Sequence, residues 1–195
     1  MSRQIETTHV AGDDQNQTGH PSIVILTGPR EAGKTAACHR LATLATARGW
    51  TVAGVLSPAV FQGGRKVGIS LFDLSSGLSR HFASRLQRPD PGGLGYCFEE
   101  AAISWANDVL SSAPPCDLLV VDEVGPLEIL YGKGIATAFG VLRQGRYRLA
   151  VVVVRPELVD AFRGILRLAC RVENVQTLAV EDLLDELGGL NAAKK

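Results

Sequence analysis

The octapeptide GPREAGKT at residues 28–35 constrains this chain more than any other feature. It satisfies the pattern GxxxxGK[ST] in full. Before it stands a run of β-branched residues, SIVILT at 22–27, and after it a stretch with helical spacing at 34–48. A chain with that order makes a strand, a loop that turns on glycine, and a helix whose first turn faces the loop. The run at 22–27 has no polar alternation, the mark of a strand buried on both faces of a parallel sheet. In the helix, Ala37, Leu41, Leu44 and Ala45 share one face, and Gly49 stops it.

The same reading carries along the chain. Further strands are expected over 51–56, 67–74 and 78–83, with a Gly63-Gly64 turn inside 61–66, so this stretch reads as a β-hairpin insertion. Residues 88–93 form a loop, 98–111 a helix stopped by Pro114-Pro115, and 118–121 a buried strand. A helix over 134–144, a buried strand over 149–154 and a helix over 157–166 follow. A strand at about 175–178 and a helix at about 180–187 close the domain. Buried strands alternating with helices give an α/β fold of the P-loop NTPase kind: a mostly parallel sheet with helices on both faces. Residues 1–20 are polar and aperiodic and read as a mobile tail, leaving 21–195 as one domain.

Composition excludes several alternatives. Apolar residues are 46% of the chain and charged residues 21%, enough for an ordinary core. The formal net charge of zero gives no global pull toward nucleic acid or an anionic membrane, and neither is expected as a partner. The apolar run 149–154 is far short of a membrane span, and no export signal is recognisable, so a cytoplasmic location is expected. Cys38, Cys97, Cys116 and Cys170 show no paired metal-ligand spacing and read as reduced, mainly buried thiols.

The chemistry sits in two motifs. Residues Gly28, Pro29, Arg30, Glu31, Ala32, Gly33, Lys34, Thr35 and Ala36 are the expected nucleotide-binding set. The glycines let backbone N–H groups curl round a phosphate, and the helix start adds its positive dipole end. Lys34 is expected to reach the β- and γ-phosphates as a catalytic cation, and Thr35 to ligate Mg²⁺. Glu31 is an odd acid inside an anion-binding loop; pointing outward, beside Arg30, it is harmless. The second motif is DLLVVDE at 117–123, a buried strand ending in carboxylates. Asp122 is the expected partner of Thr35 at the Mg²⁺, and Glu123 the expected base that polarises the attacking water.

Four stretches also resemble the small nucleoside-triphosphatase family of thermophilic prokaryotes, represented in animals by the cancer-related nucleoside-triphosphatase. They are GPREAGKT at 28–35, GVLSPAVFQGGRKVGISLFDLSSG at 54–77, LGYCFEEAAISWA at 94–106 and VDEVGPLEI at 121–129. The resemblance implies a RecA-like or kinase-like P-loop fold and slow hydrolysis of ATP, GTP and other triphosphates with relaxed base choice. The Arg30-Glu31 pair and the long polar tail depart from the family's pattern.

Other residues keep two readings. Arg155, at the end of a buried strand, is either a catalytic contact to the γ-phosphate or a cap on the turn before Pro156. Glu128 is either an acid standing behind the metal site or a solvated charge. Arg143, Arg146 and Arg148 read as a solvated surface, and Tyr96, Phe98 and Trp105 as core rather than a base-stacking face. His39 and His81 receive no role. Three functions fit: a Mg²⁺-dependent nucleoside-triphosphatase, a nucleotide or small-molecule kinase, or a nucleotide-switched binding protein. A protein partner is compatible with the sequence but not identifiable from it.

Overall fold

Apolar residues that alternate between two buried faces decide the architecture. The structure is a computed structural model that describes residues 21–88 and 95–192, with side chains through residue 186. The tail at 1–20 and most of the loop at 88–93 therefore lie outside the described residues. In chain order the elements are β1 (Ser22–Thr27), α1 (Lys34–Ala47), β2 (Val52–Leu56), β3 (Ala59–Gln62), β4 (Arg65–Asp73), β5 (Ser79–Arg85) and β6 (Tyr96–Phe98). Then come α2 (Glu100–Ser111), β7 (Cys116–Val124), α3 (Pro126–Tyr131), α4 (Thr137–Gln144) and β8 (Tyr147–Val154). A single 3-10 turn at Pro156–Leu158 leads into α5 (Val159–Leu166), followed by β9 (Arg171–Asn174) and α6 (Val180–Ala192).

The strands form one sheet in the order β6-β5-β4-β2-β7-β8-β1-β9, with β3 also paired to β4. Within β1, Ile23 and Ile25 enter one core with Ala106, Leu110, Phe139 and Phe162. Val24 and Leu26 enter the other with Cys38, Leu41, Leu183 and Leu184. Strands β7 and β8 split their residues the same way, which gives helix, sheet and helix layers. The pairings of β2, β7, β8, β1 and β9 are parallel, and β1 finds both neighbours late in the chain: Ser22 lies opposite Leu149, and Val24 opposite Arg171.

The sheet is mixed rather than purely parallel. Strands β3, β4, β5 and β6 are joined antiparallel, because short glycine turns such as Gly63-Gly64 link neighbours that need no crossover. Strand β3 lies partly in the stretch expected to turn, and β6 occupies the start of the expected helix, which begins instead at Glu100. The last strand is Arg171–Asn174, not 175–178. The Asn174 carboxamide oxygen accepts the Gln176 N–H at 3.0 Å and its carbonyl accepts the Leu178 N–H at 3.0 Å, so the chain turns there. Helix α4 starts at Thr137 rather than Gly134. Asn107 on α2 receives the Thr137 N–H and donates to the Gly134 carbonyl, pinning those residues outside the helix.

Side-chain expectations fare unevenly. Tyr96, Phe98 and Trp105 pack on the core, as read. Arg148 is not simply solvated: it pairs with Asp117 at 3.1 Å and lies over the Trp50 ring at 4.6 Å. Arg143 donates to the Ile165 carbonyl, tying α4 to α5. Of the thiols, Cys38 is buried, Cys116 and Cys170 are half-buried, and Cys97 is exposed on the short strand β6. Among the described residues no helix is long and apolar enough to cross a membrane.

Candidate active site

Parallel strands end on the same edge of the sheet, so β7, β8 and β1 bring three tips together there. The tip of β1 is the loop beginning at Gly28, the tip of β7 carries Asp122 and Glu123, and Arg155 follows β8 between them. Strand β8 thus separates the glycine loop from the acidic pair, and its end residue stands beside both.

The loop enters α1 through Gly33, whose φ of 88° lies in the left-handed region that glycine adopts without a Cβ clash. No side chain caps the helix, and no acid occupies its first turn. The initial backbone N–H groups therefore keep their donor capacity and positive dipole end for an anion. Lys34 Nζ donates to the carbonyls of Gly28 at 2.8 Å and Pro29 at 2.6 Å, which holds the ammonium inside the loop. Partial burial lowers the Lys34 pKa, while the charges of Glu123 and Asp122 oppose that shift. Arg30 and Glu31 are both exposed, so the odd acid stands in water, with a left-handed φ of 61°.

Asp122 is 1% exposed. Its Oδ2 accepts the Ser57 N–H at 2.9 Å, and its carbonyl accepts the Ser57 hydroxyl at 2.8 Å. Pro58 explains how Ser57 is free to do this: β2 breaks off at Leu56 before β3 resumes at Ala59, and the serine between turns its polar groups to β7. Burial pushes the Asp122 carboxyl up to about 6; the Ser57 N–H and the Thr35 hydroxyl pull it down, Glu123 pushes it up, and Lys34 pulls it down. Its Oδ1 is buried without a hydrogen-bond partner. A buried carboxylate oxygen left without a donor, beside a hydroxyl and a lysine, suits a hard cation. Mg²⁺ keeps several waters and takes one or two protein oxygens plus phosphate oxygens, so this donor set fits it. Among the described residues no group of three or more His, Cys, Asp or Glu gathers as a metal cage, and Mg²⁺ bound in this manner requires none.

Glu123 is bent out of the regular strand. The pairing of β7 with β8 runs Val121 to Val152 and then Val124 to Val154, so Asp122 and Glu123 together face one residue, a β-bulge. Glu123 has φ 75°, a conformation that costs a residue with a Cβ about 1–3 kcal/mol. Its Oε1 receives Arg155 Nη2 at 3.3 Å. Glu123 and Arg155 are partly exposed, at 37% and 25%, and so reach solvent where Asp122 does not.

Glu128 is not a solvated charge: it is 6% exposed, and both oxygens accept backbone N–H groups, Gly125 and Ile135, each at 2.9 Å. Burial raises its pKa; the Ile135 and Gly125 N–H groups counter that, and the Glu123 charge adds to it. Ser57, Asn107 and this bracing role of Glu128 escape the sequence reading. A serine or asparagine carries no local signal of a partner 65 or 30 residues away. The Pro126 that opens α3 was a usable sign, since proline favours the first helical position. His81 shares a hydrogen bond with the Ser84 hydroxyl at 2.9 Å, on β5 and away from these strand tips.

A family model described as NTPase matches residues 23–181. A nucleoside-triphosphatase THEP1 from Thermococcus kodakarensis is 28% identical over 173 residues, covering 85% of this chain and 89% of that protein. One from Methanopyrus kandleri is 34% identical over 113 residues, covering 56% of this chain and 61% of the relative. The solution structure of a human cancer-related nucleoside triphosphatase superposes with a TM-score of 0.61 at 24% identity, over 91% of this chain and 100% of that one, a likeness of fold.

Proposed function

The chain belongs to the NTPase family, and from that premise we propose that it hydrolyses nucleoside triphosphates, ATP and GTP among them, to the diphosphate and phosphate, with Mg²⁺ and weak base selectivity. The observation that carries this reading is the gathering of Lys34, Asp122, Glu123 and Arg155 on three adjacent strand tips. Residues Gly28 to Ala36 wrap the phosphates with backbone N–H groups. Thr35 and Asp122 would hold Mg²⁺, which would supply positive charge to offset that of the triphosphate.

The chain's own groups do the rest. Glu123 accepts a proton from the attacking water as its oxygen bonds to the γ-phosphorus. The bond from that phosphorus to the β-γ bridging oxygen breaks, and the diphosphate leaves. Lys34 stabilises charge on the transferring group. Arg155 is paired with Glu123 and lies one strand from the loop; in this reading it trades that carboxylate for a γ-phosphate oxygen. A cytoplasmic setting suits free thiols such as the exposed Cys97.

The test is phosphate release from ATP, GTP and a pyrimidine triphosphate with Mg²⁺, with and without candidate acceptors, for wild type and Glu123→Gln. Acceptor-independent release within about tenfold across bases, falling about 10²-fold in the variant while nucleotide still binds, supports the reading. Transfer that requires an acceptor makes the protein a kinase and overturns it.

A further inference from the structure

We propose that Glu128 is a positioning residue for Glu123: its buried carboxylate fixes the backbone that holds the strained glutamate at the end of β7. The inference rests on the reading of Glu123 as the base. Glu123 keeps a left-handed φ of 75° in a bulge, and a side chain does so only where its flanks are tied. On the upstream side Asp122 is tied by Ser57. Two residues downstream, Gly125 N–H donates to Glu128 Oε2 at 2.9 Å.

The other oxygen completes the brace. Glu128 Oε1 accepts Ile135 N–H at 2.9 Å, so one carboxylate joins both ends of the excursion formed by α3 and the turn after it. The far end cannot slide, because Asn107 on α2 holds the Gly134 carbonyl and the Thr137 N–H. Glycine at 134 is required for closure: its φ is +67°, and a Cβ there would stand 2.1 Å from Glu128 Oε1. Two backbone donors aimed at two carboxylate oxygens need a group with two acceptors. A glutamine offers one oxygen and turns its NH₂ against the other donor. Glu128→Gln therefore frees either Gly125 or Ile135 and lets the Glu123 segment relax.

Single-turnover hydrolysis of saturating Mg-ATP is measured for Glu128→Gln in the wild-type and Glu123→Gln backgrounds, with nucleotide Kd and melting temperature alongside. The expected result is a loss of about 10- to 100-fold in the wild-type background, the scale for a misplaced reacting group, with Kd unchanged. In the Glu123→Gln background the same substitution changes the rate less than about twofold, because residues acting as a unit are not additive. Equal losses in both backgrounds, a rate loss matched by weaker binding, or no loss at all overturn the proposal. If Glu123→Gln alone hydrolyses at the wild-type rate, it is the base assignment that fails. Should Glu128→Gln not fold, Glu128→Asp keeps both oxygens on a shorter stem and is judged by the same criteria.

Discussion

Asp122→Asn should make the empty protein more stable while costing it Mg²⁺. The wild-type carboxyl is 1% exposed and its pKa rises from an ordinary 3.8 to about 6, mainly through burial. The folded protein thus holds this proton more tightly than the unfolded chain does. The resulting stabilisation is complete below the unfolded value and is lost as pH rises through about 6. At about 1.4 kcal/mol per pKa step, the rise amounts to about 3 kcal/mol carried at low pH and missing at high pH. Asparagine does not titrate. Urea unfolding in a chelator, without nucleotide, should find the variant and wild type alike near about pH 4. Near about pH 8 the variant should be about 3 kcal/mol more stable, a melting shift of about 6–12 °C for a chain of this length. Adding Mg²⁺ and triphosphate should reverse the order, because only the wild type gains from the ligand. A stability difference independent of pH, or a wild type that is the more stable at high pH without ligand, would refute the account.

Three further outcomes follow from the same geometry. Lys34→Ala, at a half-exposed position, should leave the melting temperature nearly unchanged and weaken phosphate binding or turnover by about 2–4 kcal/mol, read by nucleotide titration and phosphate release. Ser57→Ala removes the 2.8 Å bond to the Asp122 carbonyl but keeps the N–H bond; unfolding should show a loss of about 1–2 kcal/mol, and calorimetry a weaker Mg²⁺-dependent increment in nucleotide affinity. Gly54→Ala should cost on the order of 3–5 kcal/mol in denaturant titration, since φ is +115° and a Cβ would stand 1.9 Å from the Val120 carbonyl oxygen of the neighbouring strand.

What was legible in the sequence was local. The loop at 28–35 and the acids ending the run at 117–123 announce themselves because their chemistry depends on residues adjacent in the chain. The buried parallel strands show through their apolar runs for the same reason. The antiparallel wing was legible as hairpins, but its extent was not, since β3, Ala-Val-Phe-Gln, is only four residues long, is exposed at its end and runs into the Gly63-Gly64 turn. Strand β9, Arg-Val-Glu-Asn, is a polar edge strand whose place is set by β1 rather than by its own composition. Least legible were the braces. A glutamate followed by Ile-Leu-Tyr gives no sign that both its oxygens will be buried on backbone donors, and Ser57 becomes informative only once β2 lies beside β7.

The late partners of β1 have a kinetic consequence. Ser22 pairs with Leu149, and Val24 with Arg171, whereas β4 and β5 meet across a tight turn with Phe72 opposite Ser79. Local pairings close cheaply and early, while a strand whose neighbours are distant in sequence waits for them and bears the larger loop-closure entropy. The hairpin wing can therefore condense while β1 is still an unsatisfied apolar ribbon, exposed to other chains and to chaperones. The glycine loop gains its fixed shape only when β1 docks between β8 and β9. A triphosphate bound as proposed would recognise only the docked loop, and so would slow unfolding far more than it speeds folding.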